Sequence, residues 1–211
     1  MKIQPESVLD LLHVQSAAAL ATQSLTLPGY PFASALPFVP DSTHCPVFLI
    51  SALAEHTRNL RADLRASLLI QSCDQAEPEA SPRLTVLGDA VRIETTPALV
   101  ARYQRYLPGA ARYQALGDFG FYRLQPRRLR WIAGFGQMGW IEAQDWLELA
   151  ALSPDAEEAL LAQLKPDSGV LGIDCYGVDL CRNGQRRRLT FERALGDEDI
   201  AQHLKSLGLI G

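Results

Sequence analysis

None of the four cysteines of this 211-residue chain (Cys45, Cys73, Cys175, Cys181) falls in a C-x-x-C pair, and none has a histidine at ligand spacing. That pattern excludes a zinc-ribbon type of site, and no metal ligand is assigned. Reduced thiols are the expectation, with a Cys175–Cys181 disulfide as the alternative. A basic excess is also lacking: 20 Lys and Arg stand against 24 Asp and Glu, giving a net charge of -4. A dedicated nucleic-acid binder normally carries the opposite balance. The arginine runs (Arg127, Arg128, Arg130; Arg186 to Arg188) sit beside alternating apolar residues and are expected on the wet faces of strands. No apolar run reaches membrane-span length, and Ala17 to Ala21 is too short for a signal-peptide core. A soluble, cytoplasmic protein is therefore expected, with neither membrane nor nucleic acid among its partners. No Ser/His/Asp or Cys/His spacing marks a nucleophile, so no catalytic residue is assigned.

What is present is ordinary globular material, 47% hydrophobic and 21% charged. It is enough for one good domain and a small one. Val8, Leu11, Leu12, Gln15 and Ala19 recur at helical steps, which predicts a helix over 6–22; the Ala17–Ala21 run fits the start of a first strand equally well. Strands are predicted at 32–39, 47–50, 67–71, 83–94, 119–125 and 128–133, with helices at 52–62 and 97–106 and a helical turn near Tyr113. Six strands without βαβ alternation favour an antiparallel sheet closing into a barrel. After Trp146 the composition changes. A helix over 148–164, strands at 169–175, 178–181 and 187–191, and a helix over 197–207 form an α-β-β-β-α module. Its Asn183-Gly184 is a strong hairpin signal. The predicted class is α+β: a barrel domain over 1–147 and a small C-terminal domain over 148–211.

The most informative stretch runs from Gly29 to Ile70. Its polar cassette, Ser51-Ala-Leu-Ala-Glu-His56-Thr57-Arg58-Asn59-Leu60, concentrates a hydroxyl, an imidazole and a guanidinium at a predicted helix start. Free N–H groups and the helix dipole favour an anion there, so the cassette reads as a seat for a phosphate.

Three sets of residues resemble a known family. They are Gly29-Tyr-Pro-Phe-Ala-Ser34; Leu49-Ile-Ser51-x-Leu-Ala54-x-His56-Thr57-x-Asn59-Leu60-x-Ala62-Asp63; and Ala66-Ser-Leu-Leu69. They are similar to the pyridoxamine 5'-phosphate oxidase-like FMN-binding split barrels, and within these to the haem-utilisation (HugZ/HutZ) branch. Arg130-Trp131-x-x-Gly134-Phe135-Gly136 agrees with this. So does the tail Gly172-Ile-Asp174-x-x-Gly177-x-Asp179-Leu180 with Arg188-Leu-x-Phe191, which resembles that branch's small C-terminal domain. The resemblance implies a six-stranded antiparallel split barrel that forms a homodimer, with a flavin in a groove between subunits. Carried over, the cofactor-binding candidates are Ser34, Ser51, His56, Thr57, Arg58 and Asn59. His56 stands where many split barrels place the lysine or arginine that contacts the FMN phosphate. The branch's His-Met-Asn-x-Asp-His pattern is replaced by Gln163-Leu164-Lys165-Pro166-Asp167-Ser168, which keeps only the aspartate.

The sequence thus favours an FMN-dependent oxidoreductase of unassigned substrate. Haem binding or breakdown for iron acquisition is the first alternative, and a split-barrel scaffold that has lost its cofactor is the second. His13, His44 and His203 sit in no recognised ligand context, and His203 is expected to be exposed. Asn59 is expected to make structural hydrogen bonds, and Trp131 and Phe135 to anchor the core or a dimer interface. Trp140 and Trp146 fit either a pocket wall or a hinge between domains.

Overall fold

The computed structural model describes residues 3–72, 81–133 and 137–210. Cys73, Gly134, Phe135 and Gly136 lie outside them. The chain opens with a 3-10 turn, Pro5–Val8, and a single short helix, α1 (Leu9–Val14). The helix predicted over 6–22 stops there because the alanine run is taken into a sheet. Strand β1 (Ala17–Gln23) pairs with β2 (Pro31–Pro37) on one side and β5 (Arg65–Gln71) on the other. Three small side chains between two neighbours suit a close-packed strand, and tertiary pairing overrides their helix propensity.

The remaining strands of this sheet are β3 (Val39–Pro40), β4 (Pro46–Ser51), β6 (Arg83–Arg92), β7 (Phe119–Ile132) and β8 (Met138–Glu142). Their order is β2-β1-β5-β6-β7-β4-β3, with β8 also paired to β7, and all the pairings are antiparallel. The sheet therefore has eight strands rather than six. The two-residue β3 and the five-residue β8 were not foreseen. The strands predicted at 119–125 and 128–133 are one strand, β7. Its register shift opposite Leu87 and Gly88 leaves Arg127 as the extra residue of a bulge, next to Pro126.

Helix α2 (Glu55–Ala62) follows β4, and α3 (Pro97–Tyr106) follows β6. Thr96 caps α3 by accepting from Leu99 N at 3.2 Å, with Pro97 in the first turn. A 3-10 turn, Pro108–Ala110, and α4 (Ala111–Gln114) complete this insertion. β4 is buried on both faces. Phe48 and Ile50 enter the main core, while Val47 and Leu49 enter a second one with Tyr103, Tyr106 and Phe121. Its continuous apolar run, with no alternation, fits that position between two layers.

A short helix that was not foreseen, α5 (Ala143–Leu147), comes first, and of the helix predicted over 148–164 only α6 (Pro154–Leu161) forms. Pro154 starts the second, and Ser153 caps it by accepting from Ala156 N at 3.1 Å. Strands β9 (Val170–Asp174), β10 (Gly177–Arg182) and β11 (Gln185–Thr190) form a separate antiparallel sheet, followed by α7 (Asp197–Ser206). Asn183 and Gly184 both take positive φ, as a two-residue hairpin turn requires. The main core is continuous from barrel residues such as Leu20 and Leu68 to Val178, Ile200 and Leu204 of this module. Cys45, Cys175 and Cys181 are free thiols. Among the described residues, no helix is long and apolar enough to cross a membrane.

Gly88 is where the bulge brings two backbones together. A Cβ on it would lie 2.1 Å from the Gln125 carbonyl oxygen. Gly88→Ala is expected to cost about 1–3 kcal/mol. Gly109→Ala, where an added Cβ meets nothing within 4 Å, should be near neutral. Urea denaturation of the two variants checks this.

Candidate functional site

The β4–β7 register places Ser51 opposite Phe119. Ala52 N then donates to the Asp118 carbonyl at 2.8 Å, and Ser51 Oγ donates to the Asp118 carboxylate. Ser51 Oγ also accepts from Leu53 N at 3.0 Å. Ser51 therefore clips the β4–α2 turn to the α4–β7 loop and does not cap a helix. α2 starts at Glu55 with Ala54 at its N-cap position.

The other cassette residues fan out around this turn. His56, half-buried in the first turn of α2, has Nδ1 3.1 Å from Ser34 Oγ on β2. Burial lowers its pKa, so the ring is neutral near pH 7. Thr57 is buried, and its Oγ1 has no partner among the described residues. Asn59 is fully buried, donating to Thr22 Oγ1 at 3.0 Å and accepting from Leu25 N at 3.0 Å. Its amide ties α2 to the end of the β1–β2 hairpin. Arg58 points outward and pairs with Glu55 at 2.6 Å.

Ser51 and His56 form the polar edge of a cavity of about 560 Å³ whose other walls come from β2, β4, α3 and α4. That volume is in the range of small-molecule sites. The walls are mainly apolar, among them Leu36, Leu49, Ile50 and Phe119. Three phenols also line it. Tyr103 OH accepts from Leu49 N at 3.1 Å, Tyr106 OH donates to Asp179 Oδ2 at 2.5 Å, and Tyr113 OH accepts from Arg112 at 2.7 Å. Burial pushes the Tyr103 phenol up to about 12. Arg112 stacks on Tyr113, 4.6 Å from its ring centre, at the α4 side of the cavity. The sequence did not single out Asp118, Tyr103 or Tyr106. They come from segments about fifty residues or more downstream of the cassette, and only the β4–β7 pairing and the packing of α3 bring them in. Trp146 is in the core, and Trp140 is partly exposed beneath Arg128, 4.3 Å from its guanidinium; neither lines the cavity. Trp131 packs partly buried against the core.

A second polar cluster lies between the barrel and the small sheet. His13 Nδ1 is 2.6 Å from Asp179 Oδ2, and His13 Nε2 is 3.0 Å from His44 Nδ1. Arg188, expected on a wet face, is buried instead. It donates to Asp179 Oδ1 at 2.7 Å and to both oxygens of Asp174 at 2.8 Å. Arg186, two residues earlier on the same face of β11, donates to the carbonyls of Gln15 and Tyr106 at 2.9 and 3.2 Å. Only the first run keeps to expectation: Arg127 and Arg128 are exposed and paired with Asp89 and Glu142. His13, His44 and Asp174 offer ligand atoms within 4.8 Å of one another. Both Asp174 oxygens already serve Arg188, so the cluster forms an ion network, in which His44 Nε2 is buried without a hydrogen-bond partner among the described residues. His203 is half-buried, its ring 4.9 Å from that of Phe191.

Burial pushes the Asp179 and Asp174 carboxyls up, but His13 and Arg188 more than offset this and hold both below the ordinary range. His44 is lowered to about 4, first by burial and then by His13.

The curled antiparallel sheet with helical insertions, carrying an apolar cavity at the start of α2, defines a split β-barrel of the FMN-binding-like superfamily. The chain belongs to the family described as "CREG, beta-barrel", which matches residues 4–148. It is 32% identical over 131 residues to the non-canonical heme oxygenase HOZ, chloroplastic, of Arabidopsis thaliana. That alignment covers 61% of this chain and 40% of the Arabidopsis protein, so the chain spans well under half of that relative. The structure of a protein of unknown function from Agrobacterium tumefaciens is similar with a TM-score of 0.77 at 25% identity, covering 94% of this chain and 93% of the other. A heme binding protein from Mycobacterium smegmatis gives a TM-score of 0.64 at 25% identity, over 98% and 99% of the two chains.

Acid should weaken the buried network in two stages. The folded-state pKa of His44 is depressed, so the unfolded chain takes up a proton first and stability falls between about pH 6.5 and about pH 4. The loss reaches roughly 3 kcal/mol. The stability from Asp174 and Asp179 is present above the usual carboxylate pKa and is lost as pH falls below it. Urea midpoints across this range should fall in the wild type and fall less in His44→Gln. Arg188→Met, which strands two buried carboxylates, should cost about 3–5 kcal/mol at neutral pH.

Proposed function

We propose that this protein binds haem in the cavity beside α2. The observation that carries the reading is the cavity itself: apolar walls with one neutral, half-buried imidazole at the edge. The similarity to the Arabidopsis heme oxygenase and the Mycobacterium smegmatis heme binding protein supports it. Bound haem iron would supply oxygen and redox chemistry, and oxidative breakdown is the reaction class the Arabidopsis name suggests. The chain's own contributions are apolar walls that exclude water, Ser51 and His56 at the polar edge, and Arg112 as a cation for a propionate.

The donor set fits FMN less well. A phosphate dianion at the start of α2 would meet Arg58 already paired to Glu55, a neutral His56, and Ser51 committed to the Asp118 carboxylate. The unpartnered Thr57 hydroxyl is buried and adds a donor without charge. Two carboxylates beside one neutralised cation favour an apolar macrocycle over a phosphate.

The haem-utilisation branch belongs to the same proposal, with residues 148–211 as its small C-terminal domain. Its motif residues Asp174, Asp179 and Arg188 meet in the buried ion network. We also propose a homodimer whose second copy covers the cavity mouth. Leu53 is 78% exposed and Leu116 is 66% exposed, on the two loops that Ser51 and Asp118 clip together.

Hemin titration followed by absorbance is the direct test. A saturable Soret band at one equivalent per chain is expected, weakened at least about tenfold in Ala35→Trp, which fills the cavity from β2. Absence of the band, or FMN retained through desalting where hemin is not, would remove the haem reading. Light scattering should report a dimer that Leu53→Glu combined with Leu116→Glu converts to monomer.

A further inference from the structure

Resting on that haem reading, we propose that His56 Nε2 is the axial ligand of the iron and that Ser34 is the residue that positions it. Haem iron is held in proteins by imidazole, thiolate, thioether or phenolate. No cysteine or methionine is among the residues lining the cavity, which leaves His56, Tyr103, Tyr106 and Tyr113.

Each phenol is already engaged. Tyr103 is almost fully buried, accepts from a backbone N–H, and has its pKa pushed up to about 12 by burial, against forming phenolate. Tyr106 directs its hydroxyl away from the cavity to Asp179, a buried carboxylate of the second cluster. Tyr113 accepts from the guanidinium that stacks on its own ring. The other histidines do not line this cavity: His13 and His44 belong to the buried ion network, and His203 packs on Phe191.

His56 differs from all of these. In the tautomer whose Nδ1–H donates to Ser34 Oγ, 3.1 Å away, the Nε2 lone pair is left for a metal. A ring nitrogen held from behind by a polar partner is the arrangement of metal-ligating histidines. The place of His56 in the first turn of α2 is secured by Asn59, three residues on, through two hydrogen bonds to the β1–β2 hairpin. A hydroxyl behind the ring also leaves the ligand a neutral imidazole, whereas a carboxylate would draw it toward imidazolate.

The test uses the full chain loaded with one equivalent of hemin, read by absorbance, electron paramagnetic resonance and, in the ferrous form, resonance Raman. Wild type should give an imidazole-ligated spectrum. His56→Ala, with unchanged far-UV circular dichroism, should lose that spectrum and regain it on adding free imidazole. His56→Tyr should convert it to a phenolate charge-transfer spectrum, while Tyr113→Phe should leave it unaltered. Ser34→Ala should keep hemin bound but lower the iron–imidazole stretching frequency, which a purely structural serine would not do. A wild-type Soret band and spectrum that His56→Ala and His56→Tyr leave unchanged would overturn the ligand assignment and leave the haem reading standing. No Soret band in wild type would remove both.

Discussion

The structure depends on one strand being buried on both faces. β4 presents Phe48 and Ile50 to the barrel core, and Val47 and Leu49 to the layer made by α3. Burying four large side chains in two directions contributes on the order of 6–12 kcal/mol of transfer free energy, before ordering entropy is subtracted. More important for the site is what this fixes. A strand held from both sides cannot slip in register, because a one-residue slip would exchange its two faces. Its end, Ser51, is therefore set against Phe119 and Asp118 of β7, and the turn into α2 starts from a fixed point. The cavity is the space left between this turn, β2 and the α3–α4 insertion.

Charge is distributed by the same logic. Exposed ionisable groups of β6, β7 and β8 pair in solvent, as Arg127 does with Asp89 and Arg128 with Glu142; such pairs contribute little to stability. The network of His13, His44, Asp174, Asp179 and Arg188 is buried, and its value is positional. Removing any one member strands the others in a low dielectric, so α1 and strands β9 to β11 are held in one relative arrangement. Tyr106 joins this network to the cavity wall: its ring stands in the second core while its hydroxyl donates to Asp179.

Much of this was legible in the sequence. The helix at 97–106 was read to the residue because Thr96 and Pro97 are local signals, and the Asn183-Gly184 hairpin likewise. The cassette at Ser51 to Asn59 forms the β4–α2 turn and the start of α2. The partners that shape its surroundings are distant in sequence and were not legible: Asp118 for Ser51, Ser34 for His56, Leu25 and Thr22 for Asn59. Arg186 and Arg188 were misread as solvated because alternation shows that they share a face of β11 but not what that face meets. The acidic residues that answer Arg188, Asp174 and Asp179, lie on β9 and β10. The first helix was read too long, and the strand start that the Ala17–Ala21 run fitted equally well is what sheet pairing realises.

These points bear on why a histidine stands where a phosphate-binding cation is usual in the resembling family. A lysine or arginine at 56 would place a full positive charge against the apolar cavity walls and a desolvated site, at a cost that only a bound anion offsets. A neutral imidazole carries no such requirement, and Ser34 satisfies its second nitrogen. The surrounding carboxylates are engaged within the protein, Asp118 by Ser51 and Glu55 by Arg58, and Arg112 lines the cavity from its α4 side. In the proposed haem reading, the turn presents a neutral donor atom beside an apolar surface. That donor type, more than the fold, separates the haem reading from the flavin one.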